Sequence, residues 1–238
     1  MLFDLDGTLW RLTSPPDFVH ITKVQALQVQ PLLPASMSLP ETEAMITDFW
    51  RFFSQTDAAE DADLTLRELD PLALAAKFLR LRLPLAGQPD SEAFWQAMYV
   101  PADEFGQRLF DDTLAVISTL RERGLRTGII TNRVFANLDA DFAAYGLGGE
   151  IDVLVSSCEV GFRKPHPAAF DTALQRLGVT PDEALMIGDN YAIDVLGAER
   201  LGIRAVLKLN DRDDSPDWRS KHKIRSLSEL PSLLDKLT

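Results

Sequence analysis

The stretch MLFDLDGTLW (residues 1–10) sets two aspartates, Asp4 and Asp6, two positions apart at the end of a short apolar run, with Gly7 and Thr8 straight after. Alternate residues of a strand share a face, and beyond the strand end a glycine lets the backbone bend. Read as a strand, the stretch puts Asp4 at the tip and Asp6 in the loop above it. The same residues also suit an ordinary Asp-Gly hairpin turn. Met1–Leu5 spans only about 17 Å as a strand, near the usual length with nothing to spare.

The second half of the chain favours the strand. Asp112–Arg123 has Leu114, Ile117 and Leu120 at helical spacing and stops at Gly124, and TGIIT (127–131) follows as a buried strand. The pattern repeats. A helix over 135–145 stops at Gly146 and precedes the apolar run 151–155. A helix over Ala168–Leu177 stops at Gly178 and precedes a strand over 184–188. A helix over Ala192–Leu201 stops at Gly202 and precedes a strand over 205–209. Apolar runs alternating with amphipathic helices predict an α/β fold, a Rossmann-like three-layer sandwich with a parallel sheet. Such sheets place ligands at the carboxyl ends of their strands.

Residues 11–111 read differently. Helical segments near Asp17–Gln28, Glu41–Phe53, Leu72–Leu81 and Ser91–Phe110 are punctuated by prolines, with no convincing strand. Phe18, Phe49, Trp50, Phe53, Phe94 and Trp95 recur at helical spacing and predict a small helical core. The expected organisation is an α/β core of residues 1–10 and 112–238, with an α-helical domain inserted over 11–111. The tail Asn210–Ser220 is expected as a loop and Ser228–Leu237 as a closing helix.

Composition narrows the function. The 238 residues are 46% hydrophobic and 25% charged, ordinary for a globular protein. A net charge of −12 argues against a nucleic-acid partner. No apolar window approaches a membrane helix and no leader-like segment opens the chain, so a cytoplasmic, membrane-free protein is expected. A single cysteine, Cys158, excludes an internal disulfide.

Three further places put reactive residues at expected strand ends. Thr131-Asn132 offers a hydroxyl and an amide suited to anion oxygens, or equally to a helix N-cap. Arg163-Lys164-Pro165-His166-Pro167 presents Lys164 from a loop stiffened by prolines, with His166 read as a turn residue. Gly188-Asp189-Asn190, with Asp194 beyond, again leaves a buried strand, although an acid at a helix start also suits the dipole. Aspartates gathered at one sheet edge repel one another unless a cation joins them. Mg²⁺ suits such a cluster, since it takes hard oxygen ligands and keeps waters.

DLDGT, IITN, RKPHP and GDN with Asp194, in this order, resemble the four motifs of the haloacid dehalogenase (HAD) superfamily. About 30 residues separate the second motif from the third, and the long insert follows the first, which resembles the helical-cap (C1) type. The resemblance implies Asp4 as nucleophile, forming an aspartyl-phosphate, and Asp6 as general acid/base. It implies Thr131, Asn132 and Lys164 as phosphoryl-binding groups. It places Mg²⁺ on Asp4, the backbone carbonyl of Asp6, and Asp189, with Asp194 and Asn190 behind these ligands.

Asp194 stands five residues from Asp189 rather than four; both spacings occur in the family. A carboxylic acid at position 6 favours phosphoester over halide substrates, because an alkoxide leaving group needs a proton. A phosphatase acting on a small phosphorylated metabolite is therefore expected. Alternatives are a phosphomutase or other phosphotransferase, or a catalytically silent binding module. Trp10 and Arg133 are the expected contacts to the leaving moiety, and the chain is expected as monomer or homodimer.

Overall fold

The computed structural model describes residues 1–61, 66–84, 87–134, 137–210 and 220–237. The expected loop 210–220 therefore lies mostly outside the described residues, as do Phe135 and Ala136 of the expected helix. The chain divides into two compact units: residues 1–12, 108–133 and 142–238, and residues 13–107 with 134–141.

The first unit is built on a six-stranded parallel sheet with helices on both sides, a Rossmann-like α/β fold. In chain order the strands are β1 (Leu2–Phe3), β2 (Trp10–Leu12), β3 (Gln107–Leu109), β4 (Gly128–Thr131), β5 (Val153–Ser156), β6 (Leu185–Gly188), β7 (Arg204–Lys208) and β8 (Lys223–Ile224). The spatial order is β5-β4-β1-β6-β7-β8. The chain runs outward from β1 through β4 to β5, then crosses to β6 on the other side of β1. The reversal of strand order thus falls at β1, where open α/β sheets form their ligand crevice.

The brevity of β1 is offset by its place. Leu2 and Phe3 pair in register with Gly128 and Ile129 on one side and with Met186 and Ile187 on the other. Both side chains are fully buried, as are Ile129, Ile130, Met186 and Ile187. This two-faced burial explains why these strands read as continuous apolar runs rather than alternating ones. Each such side chain contributes roughly 1.5–3 kcal/mol.

The helices, again in chain order, are α1 (Phe18–Val29), α2 (Leu39–Asp61), α3 (Pro71–Arg82), α4 (Ser91–Ala97), α5 (Thr113–Glu122), α6 (Leu138–Ala144), α7 (Ser157–Val160), α8 (Pro167–Leu177), α9 (Leu196–Glu199) and α10 (Leu230–Leu237). The helical unit packs α1–α4 around Phe49, whose ring centroid lies 5.2 Å from that of Phe78 and 5.4 Å from that of Phe94. Asp17, Asp70 and Asp90 cap the starts of α1, α3 and α4 through their carboxylates.

Two expectations for this stretch are corrected. Phe18 is 66% exposed, because it opens α1 beside the Asp17 cap on the outward side. The helix expected over Ser91–Phe110 ends at Ala97: Pro101 and Gly106 (φ +74°) break it, and β3 follows, paired with β2 in a two-stranded ribbon. Three-residue strands are too short to show a period.

Candidate active site

Four chain segments converge at the carboxyl ends of β1, β4 and β6. Asp4 follows β1, and its N–H donates to Ile187 O at 2.8 Å. The carbonyl of Leu5 then accepts from the N–H groups of Thr8, Leu9 and Trp10, closing a tight loop. Gly7 makes that loop possible twice over. Its φ is +81°, and a Cβ at this position would lie 2.0 Å from Asp189 Oδ2.

Both oxygens of Asp4 are engaged. Thr8 Oγ1 donates to Oδ2 at 3.1 Å and Lys164 Nζ donates to Oδ1 at 2.7 Å. Lys164 Nζ also donates to Asp194 Oδ1 at 2.7 Å. Burial acts to lower the Lys164 ammonium, but the charges of Asp4 and Asp194 overcome it and hold the group above its ordinary value. The lysine reaches this position from the loop before α8, and Asn132 holds that loop. The Asn132 Nδ2 donates to Lys164 O at 3.1 Å, and Lys164 N donates to Asn132 Oδ1 at 2.7 Å.

The Asn132 side chain thus braces the lysine's backbone. Thr131 Oγ1 accepts from Arg133 N at 3.1 Å, which leaves its hydroxyl proton to donate elsewhere. His166, read as a turn residue, caps α8: its Nδ1 accepts from Ala168 N at 3.2 Å.

Asp189 and Asp194 come from the segment after β6. Residues Tyr191–Val195 form a π turn, in which Leu196 N donates to Tyr191 O. A π turn holds one more residue than an α turn. It therefore absorbs the five-residue spacing and returns Asp194 to Lys164. Asn190 starts the turn, with its Oδ1 accepting from Ala192 N and Ile193 N, while its own N–H donates to Asp194 Oδ2 at 3.1 Å. Gly188 leaves room for the return: a Cβ there would lie 2.3 Å from Asp194 Cβ.

Asp6 points elsewhere from Asp4 and is gripped by the two residues expected to face the leaving moiety. Trp10 Nε1 donates to Asp6 Oδ1 at 2.8 Å, and Arg133 forms an ion pair with the same oxygen. The Trp10 ring is fully buried against Phe142 and Tyr145, and Arg133 lies over it at 4.8 Å. Dense surroundings raise the Asp6 carboxyl above its ordinary value, and Arg133 pulls it down. With 46% of the side chain still open to solvent, water offsets part of the rise.

Three further residues that were not singled out by sequence complete the arrangement. Thr8 holds Asp4. Lys208, at the end of β7 and 2% exposed, donates to Gly7 O at 3.1 Å and to Asn210 Oδ1 at 2.9 Å. Asn210 Nδ2 in turn donates to Asp189 Oδ2 at 2.9 Å. The available signal was a lysine inside the otherwise apolar run AVLKL.

Together Asp4, Asp6, Thr131, Asn132, Arg133, Lys164, Asp189, Asn190 and Asp194 line one cavity of about 220 Å³. Carboxylate oxygens of Asp4, Asp189 and Asp194 lie within 4.8 Å of one another. Burial, and then the charges of Asp4 and Asp194, push the Asp189 carboxyl up to about 7. Burial also raises Asp194, against the pull of Lys164. A cluster of hard oxygens under mutual repulsion fits a small divalent cation such as Mg²⁺, which would relieve it.

The family model for haloacid dehalogenase-like hydrolases matches residues 1–202. The chain belongs to this family. Among HAD-like relatives, a phosphoglycolate phosphatase from Rhodospirillum rubrum is 30% identical over 87% of this chain and 78% of its own. A phosphoserine phosphatase from Thermus thermophilus is 38% identical over 47% of each chain, so the chain spans about half the length of that relative. A crystal structure of a HAD phosphatase from Thermococcus onnurineus superposes with a TM-score of 0.59 at 25% identity, covering 98% of this chain and 96% of that one. No described helix is long and apolar enough to cross a membrane.

Proposed function

We propose that this HAD-like hydrolase is a Mg²⁺-dependent phosphomonoesterase that acts on a small phosphorylated metabolite through an aspartyl-phosphate. The observation that carries the reading is the buried contact between Lys164 and Asp4, set beside the carboxylates of Asp189 and Asp194 in one cavity. The named phosphatase activities of relatives agree with it.

In this reading Asp4 attacks phosphorus, and the bond to the leaving oxygen breaks as the acyl-phosphate bond between Asp4 and phosphorus forms. Lys164 holds Asp4 by its hydrogen bond and adds positive charge beside the transferring group, and the Thr131 hydroxyl donates to one of its oxygens. Asp6 gives its proton to the departing alkoxide. It then takes a proton from the water that attacks phosphorus and releases Asp4. Before substrate arrives, Trp10 and Arg133 hold Asp6. Arg133 favours the ionised form, so its release from Asp6 prepares the acid. Asp4, the Asp6 carbonyl and Asp189 would hold the metal, with Asp194 and Asn190 behind them. When bound, Mg²⁺ supplies charge neutralisation for the phosphoryl oxygens.

Residues 13–107 take the part of the helical cap, and substrate choice is assigned to that unit. The testing experiment is hydrolysis of an aryl phosphate, then of a panel of phosphorylated metabolites, with and without Mg²⁺. The expected result is Mg²⁺-dependent release of phosphate that Asp4→Asn abolishes. Equal rates for wild type and Asp4→Asn across the panel overturn the reading.

A further inference from the structure

We infer that Lys208 is a positioning residue for the metal site, acting on Asp189 through Asn210; this rests on the metal-dependent reading above. The register of the sheet places it there. Gly188, the last residue of β6, is level with Leu207 of β7, so Lys208 ends its strand beside the point where the chain turns into Asp189.

Lys208 is a charged side chain with 2% exposure, a costly placement unless its donors are satisfied. Its ammonium donates to Gly7 O at 3.1 Å and to Asn210 Oδ1 at 2.9 Å, and it lies 3.4 Å from the centroid of the Phe110 ring. An ammonium only donates, so Asn210 must turn its oxygen toward Lys208 and its Nδ2 outward. That Nδ2 donates to Asp189 Oδ2 at 2.9 Å. The same Asp189 oxygen is the atom packed over Gly7, whose carbonyl Lys208 holds. The lysine therefore fixes both sides of this contact: the backbone of the loop after β1, and the rotation of the Asp189 carboxylate. One Asp189 oxygen is committed to Asn210, and the other is left for a cation.

This function differs from that of Lys164. Lys164 touches Asp4 and stands in the cavity, whereas Lys208 is absent from the described cavity lining and is linked to it through Gly7 and Asn210. A residue of this kind changes how tightly the metal binds more than how the substrate binds. Partners lying behind a metal ligand typically alter metal affinity about 10- to 100-fold.

The test is isothermal titration of Mg²⁺ into the full-length chain at pH 8 for wild type, Lys208→Met, Asn210→Ala and the double variant, with circular dichroism to verify folding. Both single variants are expected to bind Mg²⁺ about 10- to 100-fold more weakly. The double variant is expected to bind no more weakly than the weaker single, because both substitutions interrupt one route. At saturating Mg²⁺, KM for a phosphoester is expected to stay at the wild-type value. Should Lys208→Met not fold, Asn210→Ala decides alone, since it removes the link without removing the buried charge. A Mg²⁺ affinity within about twofold of wild type in a folded single variant, or additive losses in the double, overturns the inference. No Mg²⁺ binding by the wild type overturns the metal-dependent reading itself.

Discussion

Lys164 and Asp4, 160 residues apart in sequence, form a buried ion pair with Nζ 2.7 Å from Oδ1. The lysine side chain is 2% exposed and shares its ammonium with Asp194 at the same distance. The pair joins the loop before α8 to the tip of the central strand.

Removing the lysine leaves two buried carboxylates uncompensated. Lys164→Met is therefore expected to lower folding stability by about 3–5 kcal/mol, the usual cost of breaking a buried pair from one side. Urea denaturation of metal-free protein measures it. A loss below about 1 kcal/mol would show that water or protonation replaces the lysine.

Asp6→Asn keeps the size of the side chain and its acceptor for Trp10 but cannot exchange a proton. Turnover of alkyl phosphoesters is expected to fall about 10²- to 10⁴-fold, with Mg²⁺ binding retained. Trp10→Phe removes the indole N–H at 2.8 Å together with part of a buried ring, so its expected loss of about 3- to 10-fold in kcat is read beside its thermal stability. Steady-state kinetics of both variants, with calorimetry of Mg²⁺ binding, separate proton transfer from positioning.

Gly7→Ala and Gly149→Ala form a matched comparison. Both glycines have a positive φ, +81° and +79°, so both substitutions cost about 1 kcal/mol of backbone strain. Only at position 7 does the new Cβ meet an obstacle, Asp189 Oδ2 at 2.0 Å. Gly7→Ala is thus expected to abolish Mg²⁺ binding and activity, and Gly149→Ala to leave both intact with slightly lower thermal stability. Equal activity in the two variants would refute the close packing of Asp189 over the loop.

The Asp189 carboxyl, raised from 3.8 to about 7, gives a pH dependence of definite sign. In metal-free protein the folded state binds this proton more tightly than the unfolded state does. Its contribution to stability is therefore full below about pH 4 and is lost as pH rises through about 7. Mg²⁺ competes with the proton, so its affinity is expected to climb as pH rises to about 7 and to level off above. Calorimetry in buffers of different ionisation enthalpy counts the proton released.

Much of this was legible in the sequence, for identifiable reasons. The sheet was readable because its strands are buried on both faces and its helices stop at glycines; Gly178 closes α8 with φ +61°. Asp4, Thr131, Lys164 and Asp189 could be singled out because reactive residues leaving apolar runs are conspicuous. What was not legible depends on pairing across the chain. Asn132 reads as an anion donor, and its second part, bracing the Lys164 backbone through one Nδ2–H and its Oδ1, shows only when residues 132 and 164 are brought together. Trp10 and Arg133 read as substrate contacts, and their grip on Asp6 becomes visible only when residues 10 and 133 are brought to one carboxylate. Lys208 shows in sequence only as a charge inside an apolar run, Asn210 belongs to no local pattern, and the ribbon of β2 and β3 is too short to have one.

The π turn at Tyr191–Val195 also bears on how Asp194 is seated. Because the turn bulges one residue outward, the place of Asp194 is set by its partners, Lys164 and the Asn190 N–H, and not by its count from Asp189. The carboxylate is thereby tied in two directions, to the loop before α8 and to the backbone at the start of its own turn.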